Sequence, residues 1–313
     1  MAARVSPPTS PDASRQDDAL EGCVVSAHRR HFVVALDAGG TLACVLKGRS
    51  ATLACGDRVL VARVAGGGAI EAVLPRNSLL FRSDAYREKL IAANVDQIIG
   101  VVAPDLPLDF ELVNRWAVAA TAEGCRFVIA ANKSDLPAFA ALATRLAPFV
   151  ALGYTVVETS AQLDIAPLRP WFSGRRSVLI GQSGMGKSTI LNAIAPLALA
   201  KTAAVSEALH TGRHTTTHST LYPLGELESD GWVVDSPGMK AFGLAHLAPE
   251  AIVAAFGEFE PCRDRCRFRD CRHDREPDCA FRAAVAEGRA APYRLSLLRA
   301  LVDESEQARR PGR

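Results

Sequence analysis

Residues Gly181–Thr189 read G-Q-S-G-M-G-K-S-T. The run follows a short apolar stretch, Ser177-Val178-Leu179-Ile180, and precedes a helix-like stretch, Thr189–Ile194. Few short patterns restrict a fold so tightly. Gly181, four residues, then Gly186-Lys187-Ser188 is the spacing with which a strand-to-helix turn wraps phosphate. Gly181, Gly184 and Gly186 let backbone N–H groups converge on phosphate oxygens with no Cβ in the way. The helix that starts there aims its positive end at the same place. Lys187 is placed to reach the β and γ phosphates, and the Ser188 hydroxyl to hold Mg²⁺. Gln182, Ser183, Met185 and Thr189 complete the cradle. A glycine-rich turn without a ligand is the bland alternative; the strand before and the helix after argue against it.

A chain of 313 residues suggests about two or three domains, and an apolar share of 49% supplies their cores. The net charge of +2 does not by itself announce a nucleic-acid binder. No apolar run approaches a membrane span, so no membrane partner is expected. Residues 1–20 hold Pro, Ser, Asp and Arg without an apolar h-region. They read as a disordered arm rather than an export signal, which points to a cytoplasmic protein. Of eight cysteines, Cys23, Cys44, Cys55 and Cys125 are scattered among apolar residues as small core residues. Cys262, Cys266, Cys271 and Cys279 crowd together with His273 among them, which favours metal over disulfide in a chain without an export signal.

Residues 21–75 read as short strands separated by Gly-rich turns such as Ala38-Gly-Gly-Thr and Ala65-Gly-Gly-Gly. That spacing predicts a small five-stranded β-barrel, OB-like or purely structural; His28-Arg29-Arg30-His31 offers a phosphate contact. Residues 76–94 read as a connector with a turn at Arg76-Asn77-Ser78. From residue 95 strands and helices alternate. Gln97–Ala103, Arg126–Ala131, Tyr154–Glu158, Ser177–Ile180 and Gly231–Val234 read as strands, and Phe110–Glu123 has helical periodicity. The pattern predicts an α/β doubly wound sheet with ligands at the carboxyl ends of its strands. Every motif of interest falls at such an end. Residues 201–220 are polar and Thr-rich. Beyond residue 244 the chain turns helical, passes through the Cys/His segment, and closes on the helix-like Tyr293–Val302 and a basic tail.

Asn132-Lys133-Ser134-Asp135 selects the base. The two oxygens of Asp135 match the N1–H and N2–H₂ donors of guanine, which adenine lacks, and a site of that kind discriminates about 10⁴-fold. Asn132 is placed on the base edge, Lys133 over the ring, and the Ser160-Ala161 backbone opposite the guanine carbonyl. Asp235-Ser-Pro-Gly238 supplies a carboxylate for Mg²⁺ and an N–H for the γ phosphate. Met239 stands where many GTPases carry a water-orienting glutamine, so turnover should be slow unless a partner helps. In Thr211-Gly-Arg-His-Thr-Thr-Thr-His, Thr216 is the choice to close over Mg²⁺ and the γ phosphate, with Thr215 and Thr217 as near alternatives. His214 is a candidate for orienting water, or a loop histidine facing solvent or RNA; His218 is a bystander. Thr216, Lys187 and His214 form the catalytic set, and Ser188, Thr216 and Asp235 the Mg²⁺ set. In most GTPases the phosphate loop precedes the base motif. Here the order is reversed, and the domain reads as circularly permuted.

With the motif order, the G-x-S-G-x-G-K-S-T loop, R-H-T-T-T, D-S-P-G and the Cys/His segment, residues 21–300 resemble the bacterial ribosome small-subunit-dependent GTPase A (RsgA) family. The resemblance implies an N-terminal OB-like barrel (21–75), a circularly permuted P-loop GTPase domain (76–243, with the connector 76–94) and a C-terminal α-helical zinc-binding domain with its basic tail (244–313). It implies GTP hydrolysis to GDP stimulated by the 30S subunit, binding to 16S rRNA, and a role in late 30S maturation. A monomer is expected. The rival reading is a GTP-dependent RNA-binding switch without ribosome-specific activation.

The metal ligands follow from spacing as well. Cys266-x₄-Cys271-x-His273-x₅-Cys279 offers three thiolates and an imidazole, a closed tetrahedral set for one structural Zn²⁺, with Cys262 spare. Between residues 263 and 275 six arginines face three aspartates, which suits phosphate contacts on rRNA or makes a solvated loop.

Overall fold

In the computed structural model, residues 19–28, 31–47, 52–84, 87–196, 219–224, 231–235 and 244–309 are described. The first five strands are β1 (Leu20–His28), β2 (His31–Leu36), β3 (Thr41–Leu46), β4 (Arg58–Val64) and β5 (Gly67–Val73). They pair in the order β1-β2-β3-β5-β4, and β4 pairs back onto β1. The ladder thus closes and leaves no edge. Alternation decides which side chains go inside: Phe32 and Val34 are buried while their neighbours His31 and Val33 point outward. Val24, Val59, Val61 and Ile70 complete that interior.

The segment expected as a connector is itself a hairpin, β6 (Leu79–Asp84) with β7 (Arg87–Ala93). It is fused to the barrel. Ala93 N–H donates to Cys55 O at 2.8 Å, and Asn94 Nδ2 to Gly56 O at 3.0 Å. Gly56 has φ of 94°, and a Cβ there would sit 2.0 Å from Ala93 O, so only glycine allows this approach. Beneath it Asp57 is fully buried, held by two bonds from Arg76 at 2.6 and 2.8 Å and by Ala54 N–H at 2.8 Å. Arg76 marks a turn in the sequence; its larger task is to satisfy this carboxylate.

The alternating segment forms the parallel part of the same sheet. β8 (Gln97–Val102), β9 (Arg126–Ala131), β10 (Thr155–Glu158), β11 (Arg176–Ile180) and β13 (Trp232–Asp235) run parallel in the order β10-β9-β8-β11-β13. Strand β8 is buried along its whole length, as its near-continuous apolar run requires. Helices α1 (Phe110–Ala122) and α2 (Phe139–Ala151) contribute Trp116 and Phe149 to the core on one face. Helix α3 (Lys187–Ile194) contributes Ile190 and Leu191 to the core on the other. The Asp109 carboxylate starts α1 by accepting from Leu112 N–H at 2.9 Å. Strand β12 (Thr220–Pro223), antiparallel to β13, is not legible in the sequence. It also pairs with β1 through Ser26 and Thr220, so the barrel and the α/β sheet share one ladder.

The C-terminal elements are α4 (Pro249–Ala254), a 3₁₀ segment (Gly257–Cys262), α5 (Ala280–Ala286) and α6 (Pro292–Arg309). Among the described residues no helix is long and apolar enough to cross a membrane. Arg294 of α6 fastens these elements to the sheet. It is 1% exposed. Its guanidinium donates to Glu258 Oε1 at 2.5 Å and to Asn114 Oδ1 of α1 at 2.6 Å, and lies 4.2 Å from the Phe256 ring centroid. Asn114 is buried as well and passes its own Nδ2 to Phe110 O at 2.7 Å. Arg294→Met strands Glu258 and Asn114 without their donor. The melting temperature should fall by about 5–15 °C, since breaking a buried pair from one side costs about 3–5 kcal/mol. A change under about 2 °C by scanning calorimetry would show the pair to be dispensable.

Candidate nucleotide site and zinc knuckle

Strand β11 delivers the chain to Gly181, and α3 begins at Lys187 with Gly186 as its N-cap. Gly186 has φ of 95°, and a Cβ there would meet Asn132 Nδ2 at 2.2 Å. Backbone conformation and neighbour both demand glycine. Lys187 is 8% exposed, and its Nζ donates to Gly181 O at 2.8 Å and Gln182 O at 2.9 Å. Burial pulls its pKa down, while the negative charge of Asp235 partly restores it. Asp235 ends β13, next to β11 in the sheet. Burial raises its carboxyl pKa, and Lys187 opposes the rise. The protein thus holds a poorly solvated cation and anion at the strand ends, where phosphate and a divalent cation would each find a counter-charge. Ser188 is exposed on the first turn of α3, and Ser183 and Gly184 are exposed on the loop. Met185 is 2% exposed and anchors the loop in the core.

Asn132 follows β9 and is 2% exposed. Its Nδ2 donates to Met185 O of the phosphate loop at 3.0 Å, and its Oδ1 accepts from Ala161 N–H at 3.0 Å. Three loops that are far apart in the chain meet on this one amide. Lys133 has φ of 61°, and its Nζ donates to Asp105 Oδ2 at 2.5 Å and Gly184 O at 2.9 Å. Asp135 is exposed beside it. Ser160 is 6% exposed, and its N–H donates to Asp164 O at 3.3 Å.

Two expectations concern groups that also bond within the protein. The sequence put Asn132 on the base edge and the Ser160-Ala161 N–H groups on the guanine carbonyl. In this structure those N–H groups serve Asp164 O and Asn132 Oδ1, and both ends of the Asn132 amide bond protein. A buried amide must satisfy its polar atoms, and the nearest partners are the adjoining loops. Such bonds cross the fold and leave no mark in local sequence. Asp105, missed in the sequence, joins the site through Lys133. His214, Thr216 and its neighbours Thr215 and Thr217, His218, Gly238 and Met239 lie outside the described residues.

The ligand atoms of Cys266, Cys271, His273 and Cys279 all lie within 4.8 Å of one another. His273 Nδ1 is 3.6 Å from Cys266 Sγ and 3.4 Å from Cys279 Sγ, and the two sulfurs are 3.9 Å apart. A tetrahedron with Zn–S of about 2.3 Å and Zn–N of about 2.0 Å has edges of about 3.8 Å (S···S) and about 3.5 Å (S···N). The residues fit zinc. Phe281 stacks on the His273 ring with centroids 3.9 Å apart, and Phe259 on Phe281 at 4.8 Å. Burial lowers the His273 pKa, which keeps the imidazole neutral and able to ligate. Glu276, another residue missed in the sequence, accepts backbone N–H bonds from Arg272, Asp274 and Arg275 and shapes the loop around His273. Cys262 stays outside the set, buried and receiving a bond from Arg289 at 3.3 Å. Four of the six arginines are paired: Arg263 with Glu260, Arg267 with Asp278, Arg272 with Asp303 and Glu306, Arg275 with Asp274.

Comparisons with known proteins agree with this geometry. The sequence pattern of the RsgA GTPase family matches residues 73–245. The chain is 45% identical to the small ribosomal subunit biogenesis GTPase RsgA of Nitrosospira multiformis, over 94% of this chain and 93% of that protein. It is 42% identical to the protein of that name from Nitrosomonas europaea, over 93% of each. Among solved structures, YjeQ from Thermotoga maritima superposes with a TM-score of 0.70 at 29% identity, covering 92% of this chain and 99% of that one. YloQ, a circularly permuted GTPase, gives a TM-score of 0.67 at 25% identity, over 96% and 100%. The base motif lies 49 residues before the phosphate loop in the chain (181 less 132) yet is bonded to it in space through Asn132. The chain belongs to the RsgA GTPase family of GTP hydrolases, in circularly permuted form.

Proposed function

We propose that this GTPase binds the small ribosomal subunit, assists its late maturation, and uses GTP hydrolysis to time its release. The observation that carries the reading is the convergence of base, phosphate and Asp235 loops on one sheet edge, in a chain alike over 94% of its length to a relative named for small-subunit biogenesis. Lys187 and the loop N–H groups bind the β and γ phosphates. Ser188, Asp235 and Thr216 would hold Mg²⁺, which would supply neutralisation of the phosphate charge. Asp135 reads the guanine edge, Lys133 covers the ring, and Asn132 fixes both loops. Gly238 N–H meets the γ phosphate, and His214 orients water. Met239 offers no hydrogen bond to that water, so the free protein turns over slowly and the subunit completes the site. The protein acts in the cytoplasm as a monomer, with 16S rRNA as its contact on the subunit.

GTP turnover should rise by about 10²-fold or more with purified 30S subunits and stay flat with 50S, the scale by which one water-orienting or charge-stabilising group acts. Bound nucleotide with no rise on 30S would overturn the ribosomal coupling and leave a generic RNA switch. Asp135→Asn places a donor where the carboxylate accepted. It should cost GTP about 10²-fold or more and favour xanthosine triphosphate; an unchanged base preference would remove Asp135 from the guanine site. Cys279→Ser should lose the single bound zinc and lower the melting temperature, because a closed three-thiolate site contributes folding energy. One zinc per chain retained in that variant, by atomic absorption, would reject the ligand set.

A further inference from the structure

The loop after β8, residues 103–109, is not assigned to any nucleotide motif, yet it touches two of them. Its ends are fixed. Ala103 and Leu108 are buried, Asp109 caps α1, and Arg145 donates to Leu108 O at 2.9 Å. Between these anchors Asp105 and Leu106 stand out toward the phosphate loop. Asp105 Oδ2 accepts from Lys133 Nζ at 2.5 Å, and the same Nζ donates to Gly184 O at 2.9 Å. A Cβ on Gly184 would lie 3.4 Å from Leu106 Cδ1, so the leucine also packs against that loop. Lys133 is thereby held at three points: its left-handed backbone, Gly184 and Asp105.

A lysine stem has four carbons and many rotamers, and freezing it when a ligand arrives costs entropy. A stem already pinned at its tip has met that cost before the base enters. We propose that Asp105 is a positioning residue for the purine: it holds Lys133 with its aliphatic stem laid along the face of the base site. The proposal rests on the guanine reading of the Asn132–Asp135 loop. Asp105 touches no nucleotide atom itself and acts through Lys133. The Lys133 hydrogen bond holds the Asp105 carboxyl below the usual carboxylate range, so the acceptor is charged at neutral pH.

The test is fluorescent GDP binding to the full-length protein, as parent, Asp105→Ala, Asp105→Asn, Lys133→Ala and the Asp105→Ala/Lys133→Ala double variant. Asp105 is half exposed, so its removal leaves the core intact, checked by an unchanged melting curve. Asp105→Ala should weaken GDP about three- to fivefold, the scale of a partly exposed charge pair, through faster dissociation. Asp105→Asn should recover part of the loss, because its amide oxygen still accepts from Nζ. The preference for guanosine over inosine diphosphate should match the parent, because Asp135 still reads the N2 amine; general damage to the base loop would erase it. The double variant should bind as Lys133→Ala alone. An Asp105→Ala affinity within about 1.5-fold of the parent, or losses that add in the double variant, would overturn the proposal. Failure of the parent itself to bind GDP would instead overturn the guanine reading.

Discussion

The amide of Asn132 is the bond on which the nucleotide edge depends. A buried primary amide left without partners costs about 1–3 kcal/mol for each stranded group. Here one end donates to Met185 O and the other accepts from Ala161 N–H. Each bond ties a loop to the base motif, beside the Lys133 bond to Gly184 O and the Ser134 N–H bond to Thr159 O. The demand for glycine at position 186 comes from the same side chain, whose Nδ2 fills the space a Cβ would need. Base loop, Ser160-Ala161 loop and phosphate loop are therefore tied together, with the Asn132 amide as the residue that touches all three.

Permutation changes what lies next to these loops. The chain reaches the phosphate loop late, so the strands that follow it lead directly to the flanking modules. β12 pairs with β1 of the barrel at Ser26 and Thr220, and Cys55 Sγ donates to Ser219 O at 2.9 Å. On the other side Leu244 N–H donates to Glu304 Oε1 at 3.2 Å, and Glu304 also receives Arg115 of α1 at 2.8 Å. Residues 219–220 follow the threonine loop, and residue 244 follows the Asp235–Gly238 motif. The described residues that border these two motifs in the chain thus each carry a bond to a neighbouring module. Arg294, Glu258 and Asn114 make the second junction stiff, because a buried charge cluster has no cheap alternative arrangement.

What the sequence made legible follows from the range of the forces involved. The phosphate loop, the base motif and the Cys/His cluster are short patterns in which backbone geometry and ligand chemistry act within a few residues, so the sequence displays them locally. The barrel strands were readable because alternation of Phe32, Val34, Val59 and Val61 is a local signal. The β6–β7 hairpin was read only as a connector, since the bonds that make it structural reach back to Cys55 and Gly56. Strand β12 was missed because Thr220–Pro223 has no period of its own and is specified by β13 and β1. Asp105, Asn132, Glu276 and Arg294 act on residues whose distance in sequence conceals the contact, Glu276 excepted; its bonds are local but lack any periodic or capping pattern.

The zinc knuckle shows how a charge count misleads when pairing is ignored. Six arginines against three aspartates between residues 263 and 275 suggest a surplus of positive charge for RNA. The structure brings in acids from outside that window: Glu260, Asp278, Asp303 and Glu306 each take an arginine. Exposed pairs of this kind contribute little stability, about 0–1 kcal/mol each, so they do not hold the knuckle together. Their effect is to fix where guanidinium groups lie while the Phe259–Phe281–His273 stack fixes the backbone beneath. Arg265 and Arg269 have no ion pair among the described residues, and both are exposed. Phe268, 41% exposed between them, has the Arg267 guanidinium 5.5 Å from its ring centroid. Two arginines beside one open ring therefore carry no ion pair among the described residues, while the other four sit in exposed pairs weak enough for phosphate to compete with.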